Sequence, residues 1–246
     1  MTDDAFKTEL NLRYDAHARH ASAPVYARLE SVWPYYETNY RSLVDRLSRS
    51  TNVLEIGPGH GSLLAWLRSL GFENLAGVDA SPGDVRFANE HLGGDVVVHG
   101  DAFEYLTSHR ARFGLIVMKA VLEHLPRSRL IEAVRDAASA LAEDGVLLVD
   151  VPNMDWLMAS HERYMDLTHE TGVTRESLRA LLGLVFNTVE VSGSRLPKPT
   201  RSQRFLRRPV IALLRRILYI LGEGASDVLF ESRSLVATAK HPLVSP

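Results

Sequence analysis

The stretch VLEIGPGHGSLLAWL, from Val53 to Leu67, decides how the rest of this 246-residue chain is interpreted. It begins as an apolar run of β-forming type, passes through a turn containing Gly57, Gly59 and Gly61, and continues as an amphipathic segment. Glycine in such a turn permits positive φ and lets a ligand approach the backbone. The helix that follows offers free N–H groups and a partial positive charge. The pattern therefore predicts a strand, a ligand-binding turn and a helix, although many kinds of nucleotide enzyme share such a turn.

Acidic residues at the ends of the next two predicted strands narrow the class of ligand. The run LAGVD ends at Asp79, 22 positions after Gly57, where a carboxylate can accept both hydroxyls of a ribose. This spacing suits NAD and S-adenosylmethionine (SAM) equally. The turn reads GxGxG, however, and Ser62 stands where the dinucleotide fingerprint has Gly or Ala. The following strand runs into HGDAFEYL, which places Asp101 at another strand end.

The order of apolar and amphipathic segments from Asn52 onward predicts an α/β fold. Short β-type runs (VLEI, LAGVD, VVVHG, FGLIVM, VLLVDV) alternate with amphipathic stretches such as SLLAWLRSL and RLIEAVRDAASALA. This alternation favours a doubly wound, mostly parallel sheet with helices on both faces. Two further β runs, NTVEVSG and SRSLVATAK, would complete seven strands in a Rossmann-like sheet. Residues 1–50 predict a helical N-terminal cap, 51–246 the main domain, and 195–224 an insertion before the last strand.

At this point the sequence resembles the class I SAM-dependent methyltransferases over roughly Asn52 to Lys240. The family's first motif, an acidic residue followed by GxGxG, is matched by Glu55 and the three glycines. The resemblance implies SAM as the cofactor, with Asp79 and Ala80 at the ribose. It also implies Asp101 at the adenine amine, Ala102 and Phe103 at the adenine ring, and Met118 near the end of the fourth strand. The structural alternative is that Asp79 and Asp101 are only helix N-caps or turn residues.

The segment after the fourth predicted strand carries the first candidate for catalysis. In FGLIVMKAVLEHLP, Glu123 and His124 resemble a post-strand pair that borders the methyl-transfer site in the family. An imidazole titrates near neutral pH, so His124 could take a proton from an acceptor hydroxyl, or it could be a structural histidine. Glu123 could be a ligand of a divalent metal, because some relatives that methylate quinone precursors use acidic residues here for that purpose. The chain has no cysteine, so any metal would use oxygen and imidazole ligands.

The segment HERYMDLTHETGVTRESL after the fifth strand carries a dense set of polar groups. They suit recognition of a polyhydroxylated acceptor, with His169 as a second candidate base; the alternative is an ordinary polar surface loop. The phrase also resembles one in family members associated with glycan and polysaccharide biosynthesis. Thr174 is a candidate N-cap for the helix that follows. The candidate acceptor residues in this segment are His161, Arg163, Tyr164, Asp166, His169 and Glu170.

Aromatic residues near the N-terminus could form a lid over the cofactor, as N-terminal helices do in this family, or could be core. They are Tyr14, Trp33, Tyr35, Tyr36 and Tyr40.

Charge and composition limit the partners that the sequence predicts. The formal net charge of -2 and the pI near 6.6 give no reason to expect a nucleic acid. The N-terminus MTDDAFKTEL is acidic and polar where a signal peptide would be basic and then apolar. No uninterrupted apolar stretch reaches the roughly 18 residues that a membrane span needs. The sequence therefore predicts a cytoplasmic protein.

The insertion is basic on a chain that is otherwise near neutral. Between Arg195 and Arg216 it holds eight Lys or Arg residues and no acid. Pro209 suits the first turn of a helix, and VIALLRRILYIL beyond it is amphipathic. Residues 205–221 could rest on an anionic membrane at its cytoplasmic face. The alternative is that the apolar face packs on the domain or on a second subunit in a homodimer, while the arginines face water.

These observations predict an O-methyltransferase that acts on a hydroxyl of a saccharide or glycan-type acceptor. Two alternatives stay open at this level. One is methylation of a small aromatic, quinone-like or natural-product acceptor. The other is a non-catalytic module that binds SAM.

Overall fold

A computed structural model of the chain describes residues 29–221 and 228–243. Its first described elements are helical: a 3-10 turn at Leu29–Val32, helix α1 at Trp33–Asn39 and helix α2 at Arg41–Val44. A helical N-terminal segment is therefore present, as predicted. Tyr14 lies outside the described residues.

Seven strands alternate with helices over the rest of the chain. The strands are β1 Val53–Ile56, β2 Leu75–Asp79, β3 Val97–His99, β4 Phe113–Lys119, β5 Leu141–Pro152, β6 Phe186–Gly193 and β7 Ser234–Pro242. The helices are α3 Ser62–Ser69, α4 Pro82–Leu92, α5 Ala102–Ser108, α6 Leu130–Ala140, α7 Ala159–Tyr164, α8 Arg175–Gly183 and α9 Arg201–Ile220. Two 3-10 turns, Leu122–His124 and Arg127–Arg129, follow β4.

The strands form one mixed sheet in the order β3-β2-β1-β4-β5-β7-β6. Strands β1 to β5 pair in parallel, and β7 runs antiparallel to both of its neighbours, β5 and β6. The predicted seven-stranded, mostly parallel Rossmann-like sheet is thus confirmed. The strand order reverses between β1 and β4, which is where open α/β sheets bind their ligands.

Each face of the sheet has its own hydrophobic core. On one face, helix α6 contributes Leu130, Ala133, Val134 and Ala137, the i, i+3, i+4, i+7 spacing of a single helical stripe. On the other face, Trp66 of α3 packs with Tyr36 and Tyr40 from the N-terminal segment. That packing fixes the N-terminal helices beside the carboxyl edge of the sheet.

Helix starts follow capping chemistry, and this corrects one prediction. Thr174 caps α8 in a capping box with Ser177, as the sequence predicts. Pro209, however, lies inside α9 and not in its first turn. The helix begins eight residues earlier than predicted, because Thr200 and Gln203 form a capping box there. Pro209 itself is exposed, so its ring projects away from the domain.

The glycine turn offers a stability test with an internal control. Gly61 has φ of 76°, and a Cβ added there would lie 3.2 Å from Ala88 Cβ and from Leu92 Cδ1. Gly59 has φ of 52°, and an added Cβ would meet no atom within 4 Å. We expect Gly59→Ala to lose about 1–2 kcal/mol from backbone strain alone. Gly61→Ala should lose about 1 kcal/mol or more beyond that from overpacking against α4. Urea unfolding of both variants measures the difference, and equal losses would contradict the packing argument.

Candidate active site

The glycine turn is bonded to the carboxyl end of the neighbouring strand. Gly57, Gly59 and Gly61 all adopt positive φ, and α3 begins immediately after them. The amide of Gly57 donates to the Val78 carbonyl at 2.9 Å, and the amide of Gly59 donates to Asp79 Oδ2 at 2.9 Å. Residues that the sequence spaces 20 positions apart are therefore in direct contact.

Asp79 is held in place by two backbone donors. Besides the Gly59 amide, the Ser81 amide donates to Oδ1 at 2.8 Å. Burial raises the pKa of the Asp79 carboxyl above its ordinary value, and these two hydrogen bonds act against that rise. Ser81, not Asp79, caps α4. The carboxylate is thus fixed beside the glycine turn, where the sequence analysis expects it, and its contact with a ribose stays a prediction.

Glu55 is a buried acid in β1, just before the turn. Its side chain is 3% exposed, and Oε2 has no hydrogen-bond partner among the described residues. Burial raises the pKa of Glu55 to about 8, and the nearby Lys119 ammonium acts against this rise. A buried oxygen without a partner is costly, so its presence beside an open turn fits a site that a ligand completes.

The remaining predicted cofactor residues take different positions. Asp101 is the N-cap of α5, since Oδ1 accepts from the amides of Phe103 and Glu104 at 2.8 and 3.0 Å. The capping alternative is thus correct for that oxygen, and an adenine contact through Asp101 stays a prediction. Ala102 opens α5, and the Ala80 carbonyl lies 3.2 Å from His99 Nε2. Met118 is buried in the core at the end of β4.

A cavity of about 940 Å³ opens beyond the ends of β4 and β5. Its lining combines carboxylates, imidazoles, arginines and aromatic rings from β4, β5, the segment around α7 and the start of α9. The predicted acceptor residues that line it are Glu123, His124, Asp166 and His169. Such a mixture of apolar walls and converging polar groups is typical of a small-molecule site.

Two histidines face each other in this cavity in defined tautomers. The rings of His124 and His169 are 4.9 Å apart and edge-on. The Thr168 hydroxyl donates to Asp166 Oδ1 at 2.6 Å, so it accepts from His124 Nδ1 at 2.8 Å. His169 Nδ1 lies 3.0 Å from the Glu162 carbonyl, which can only accept. In their neutral forms, both rings therefore carry their proton on Nδ1 and their lone pair on Nε2.

Asp166 anchors the first of these arrangements. Burial raises the pKa of Asp166, but hydrogen bonds from Thr168 and the charges of the two histidines together bring it below its ordinary value. The carboxylate is thus ionised at neutral pH. It lies one hydroxyl away from His124, with Thr168 between them.

Glu123 adds a third possible metal ligand beside the two histidines. Its side chain is 5% exposed, Oε2 has no partner among the described residues, and burial raises its pKa to about 8. One ligand atom each from Glu123, His124 and His169 lies within 4.8 Å of the others. The sequence offered only Glu123 for a metal; the structure adds two imidazoles, a set that can hold a divalent cation.

Four acceptor residues predicted in the segment around α7 do not line the cavity: His161, Arg163, Tyr164 and Glu170. Arg163 points into its own loop, where it donates to the backbone carbonyls of His169 and, at 2.9 Å, Glu170. Tyr164 is 74% exposed, and His161 is exposed on α7. Arg163 therefore positions His169, while His161 and Tyr164 face solvent, because they lie three residues apart on the same exposed side of the short helix α7.

Sequence reasoning missed Asp150 and Lys119. Asp150 is buried in β5, where the run VLLVDV looks entirely structural, and it accepts hydrogen bonds from Tyr40 and, at 2.6 Å, from Tyr35. Lys119 ends β4 and lines the same cavity. A charged residue at the end of an apolar strand run is the signal that could have found both. Of the aromatic residues expected as lid or core, Tyr36 and Tyr40 are core.

The fold, the bonded glycine turn and the adjoining cavity together define a class I SAM-dependent methyltransferase. Residues 32–185 match a family model described as a methyltransferase domain. The chain belongs to this family, and its cofactor is SAM. A search of curated proteins found no significant match.

Solved structures agree with this assignment at the level of the fold. A SAM-dependent methyltransferase from Archaeoglobus fulgidus is 25% identical, with a TM-score of 0.63 over 81% of this chain and 90% of that one. The protein DhpI, solved as a complex with SAH, is 16% identical, with a TM-score of 0.62 over 99% and 100% of the two chains. A SAM-dependent methyltransferase from Thermotoga maritima is 16% identical, with a TM-score of 0.59 over 91% and 98%.

The raised pKa of Glu55 predicts a pH-dependent cost in stability. Its pKa is about 8 in the folded state against 4.5 for an ordinary carboxyl. Between these values the unfolded chain releases the proton and the folded chain keeps it, so stability falls as pH rises from about 4.5 to 8. Relative to Glu55→Gln, we expect the cofactor-free protein to lose on the order of a few kcal/mol across this window. Urea unfolding at several pH values measures the difference, and parallel curves would contradict the assignment.

Proposed function

We propose that this methyltransferase transfers the SAM methyl group to a hydroxyl of a saccharide or a similarly polyhydroxylated acceptor. The observation that carries the proposal is the histidine pair in the cavity, with both Nε2 lone pairs set by hydrogen bonds on the opposite side of the rings. Further polar groups around the pair, including Glu162, Arg195 and Arg233, suit an acceptor with several hydroxyls.

The cofactor fits the turn at the end of β1. Glu55, Gly57, Gly59 and Gly61 would hold it on one side, and Asp79 with Ala80 would hold its ribose. Space is open at Gly59, where an added Cβ would meet no atom within 4 Å. On the adenine side, we assign Asp101 and Ala102, and we assign Met118 to the cofactor site near the end of β4. When bound, SAM supplies a methyl carbon activated by its sulfonium.

The chain's own residues then have two tasks, alignment and proton removal. Transfer needs the acceptor oxygen in line with the methyl carbon, and the hydroxyl proton must leave as the new bond forms. His124 Nε2 or His169 Nε2 accepts that proton. Thr168 and Asp166 are positioning residues, because they keep His124 in the tautomer that can accept at Nε2.

Loss of the ribose carboxylate tests the cofactor half of the proposal. We expect Asp79→Ala to weaken SAM binding at least tenfold, about 1.4 kcal/mol, because it removes both an acceptor and a link to the Gly59 amide. Isothermal calorimetry measures the affinity. Glu90→Ala, which removes an exposed acid from α4, is the matched control and should bind as the parent does. An unchanged affinity in Asp79→Ala would overturn the assignment.

Substitution of the histidines tests the catalytic half. We expect His124→Gln or His169→Gln, whichever is the base, to lower turnover by about 10²–10⁴-fold while SAM affinity is kept. His91→Gln, which changes an exposed histidine on α4, should turn over normally. Thr168→Val should lower kcat with little change in KM, and Thr168→Ser should restore it. Full activity in both histidine variants would exclude imidazole catalysis.

The acceptor class is decided by assay with SAM carrying a labelled methyl group. Saccharides should gain label; phenols gaining label instead would favour the aromatic alternative. If SAM binds but SAH never forms with any acceptor, the protein is a binding module.

A second experiment adds the chelator EDTA to the assay, to test whether the residues of the cavity bind a metal or act without one. Activity that survives EDTA supports an imidazole base that acts without a metal. Activity that is lost in EDTA and restored by Mg²⁺, Mn²⁺ or Zn²⁺ assigns Glu123, His124 and His169 as ligands of a cation.

A further inference from the structure

Helix α9 is an amphipathic helix that leaves a stripe of apolar side chains exposed. It spans 20 residues, and none of its side chains is buried. Leu206, Val210, Leu213, Ile217 and Ile220 follow one another at intervals of four and three, so they form a single stripe. Their exposed fractions range from 43% for Ile217 to 72% for Ile220. We call these five residues the α9 stripe.

The side of α9 that meets the domain is half-buried and mixes arginines with apolar residues: Arg207, Ile211, Leu214, Arg215 and Leu218. The Arg215 guanidinium pairs with the Glu231 carboxylate at 3.2 Å and lies 5.0 Å from the centre of the Phe230 ring. Arg207 lies 3.4 Å from the Glu231 carbonyl. A helix covering its own soluble domain normally buries its apolar side and exposes its charges. Helix α9 does this only in part: Ile211, Leu214 and Leu218 are half-buried, but the α9 stripe is 43–72% exposed, so the stripe itself does not pack on the described part of the domain.

The charge around the stripe selects the kind of partner. Arg201, Arg204, Arg208 and Arg216 are exposed on α9, and the sequence has no acidic residue between Glu190 and Glu223. An exposed apolar stripe on a helix whose only charged residues are arginines matches an anionic lipid surface, which offers acyl chains to the stripe and phosphates to the guanidinium groups. A protein partner would have to supply both a long apolar groove and a matching set of acids.

We propose that α9 docks the protein on the surface of a bilayer that contains anionic lipids. The helix would lie in the plane of the interface, with the stripe among the upper acyl chains and the exposed arginines at the headgroups. Among residues 29–221 and 228–243, no helix is long and apolar enough to cross a membrane. Arg207 both belongs to α9 and lines the acceptor cavity, so docking would bring the cavity close to the bilayer.

Vesicle sedimentation of the full chain tests the proposal. We expect binding to vesicles of phosphatidylcholine with a quarter phosphatidylglycerol, weakening as salt is raised, and little binding to phosphatidylcholine alone. Leu213→Glu with Ile217→Glu should reduce binding at least tenfold. The matched control is Leu184→Glu with Leu243→Glu, which places the same charges on two exposed leucines outside α9 and should bind like the parent. Arg208→Gln with Arg216→Gln should reduce the preference for anionic vesicles.

Other occupants of the stripe give different results. No binding to either vesicle, or equal binding to both at all salt concentrations, would overturn the proposal. A dimer in light scattering that Leu213→Glu with Ile217→Glu converts to a monomer, without vesicle binding, would assign the stripe to a second copy. SAM calorimetry on the same variants keeps this test separate from the proposed reaction, because unchanged affinity shows that the domain is folded and that any loss lies in docking.

Discussion

The hydrogen bond from the Gly59 amide to Asp79 Oδ2 is the contact on which the site depends. It forms because β1 and β2 pair in parallel, with Ile56 opposite Val78, so that both strands end at one edge of the sheet. The positive φ values of the turn then aim the Gly59 amide at the acid that follows β2. The same edge receives the end of β4, since Met118 lies opposite Ile56 on the other side of β1. Strand register therefore brings the cofactor turn and the cavity together.

Electrostatics connect these two parts of the site. Glu55, Glu123 and Asp150 are buried acids whose pKa values burial raises, and the Lys119 ammonium acts against the rise in all three. One cation thus serves three carboxyls drawn from β1, β5 and the turn after β4. Buried acids without full compensation are tolerated where a ligand completes the site, and the ligand of this fold is itself a cation at sulfur. The buried acids that lower the stability of the folded protein therefore lie beside the binding turn.

The sequence predicts local features of this molecule, such as turns and helix caps, better than it predicts the contacts made by the loops around the cavity. The glycine turn, Asp79 and the Thr174 cap are recognisable because each depends on residues close in the chain or on a fixed strand length. Asp150 could not be recognised, since its tyrosine partners lie more than a hundred positions away. Arg163 has the composition of a ligand residue, yet it donates to backbone carbonyls of its own loop. Whether such an arginine contacts a ligand or its own loop depends on the conformation of the loop, which cannot be predicted from the sequence.

Helix α9 also shows a feature that could not be predicted from the sequence. The apolar period of VIALLRRILYIL predicts an amphipathic helix, but periodicity carries no information on which side meets the domain. That choice is made by a distant residue, Glu231, whose carboxylate and carbonyl are both approached by arginines of α9. With Arg207 and Arg215 directed inward, Ile211, Leu214 and Leu218 are half-buried beside them, and the α9 stripe stays exposed. The contacts with Glu231 thus help to orient the helix that both presents this apolar surface and contributes Arg207 to the acceptor cavity.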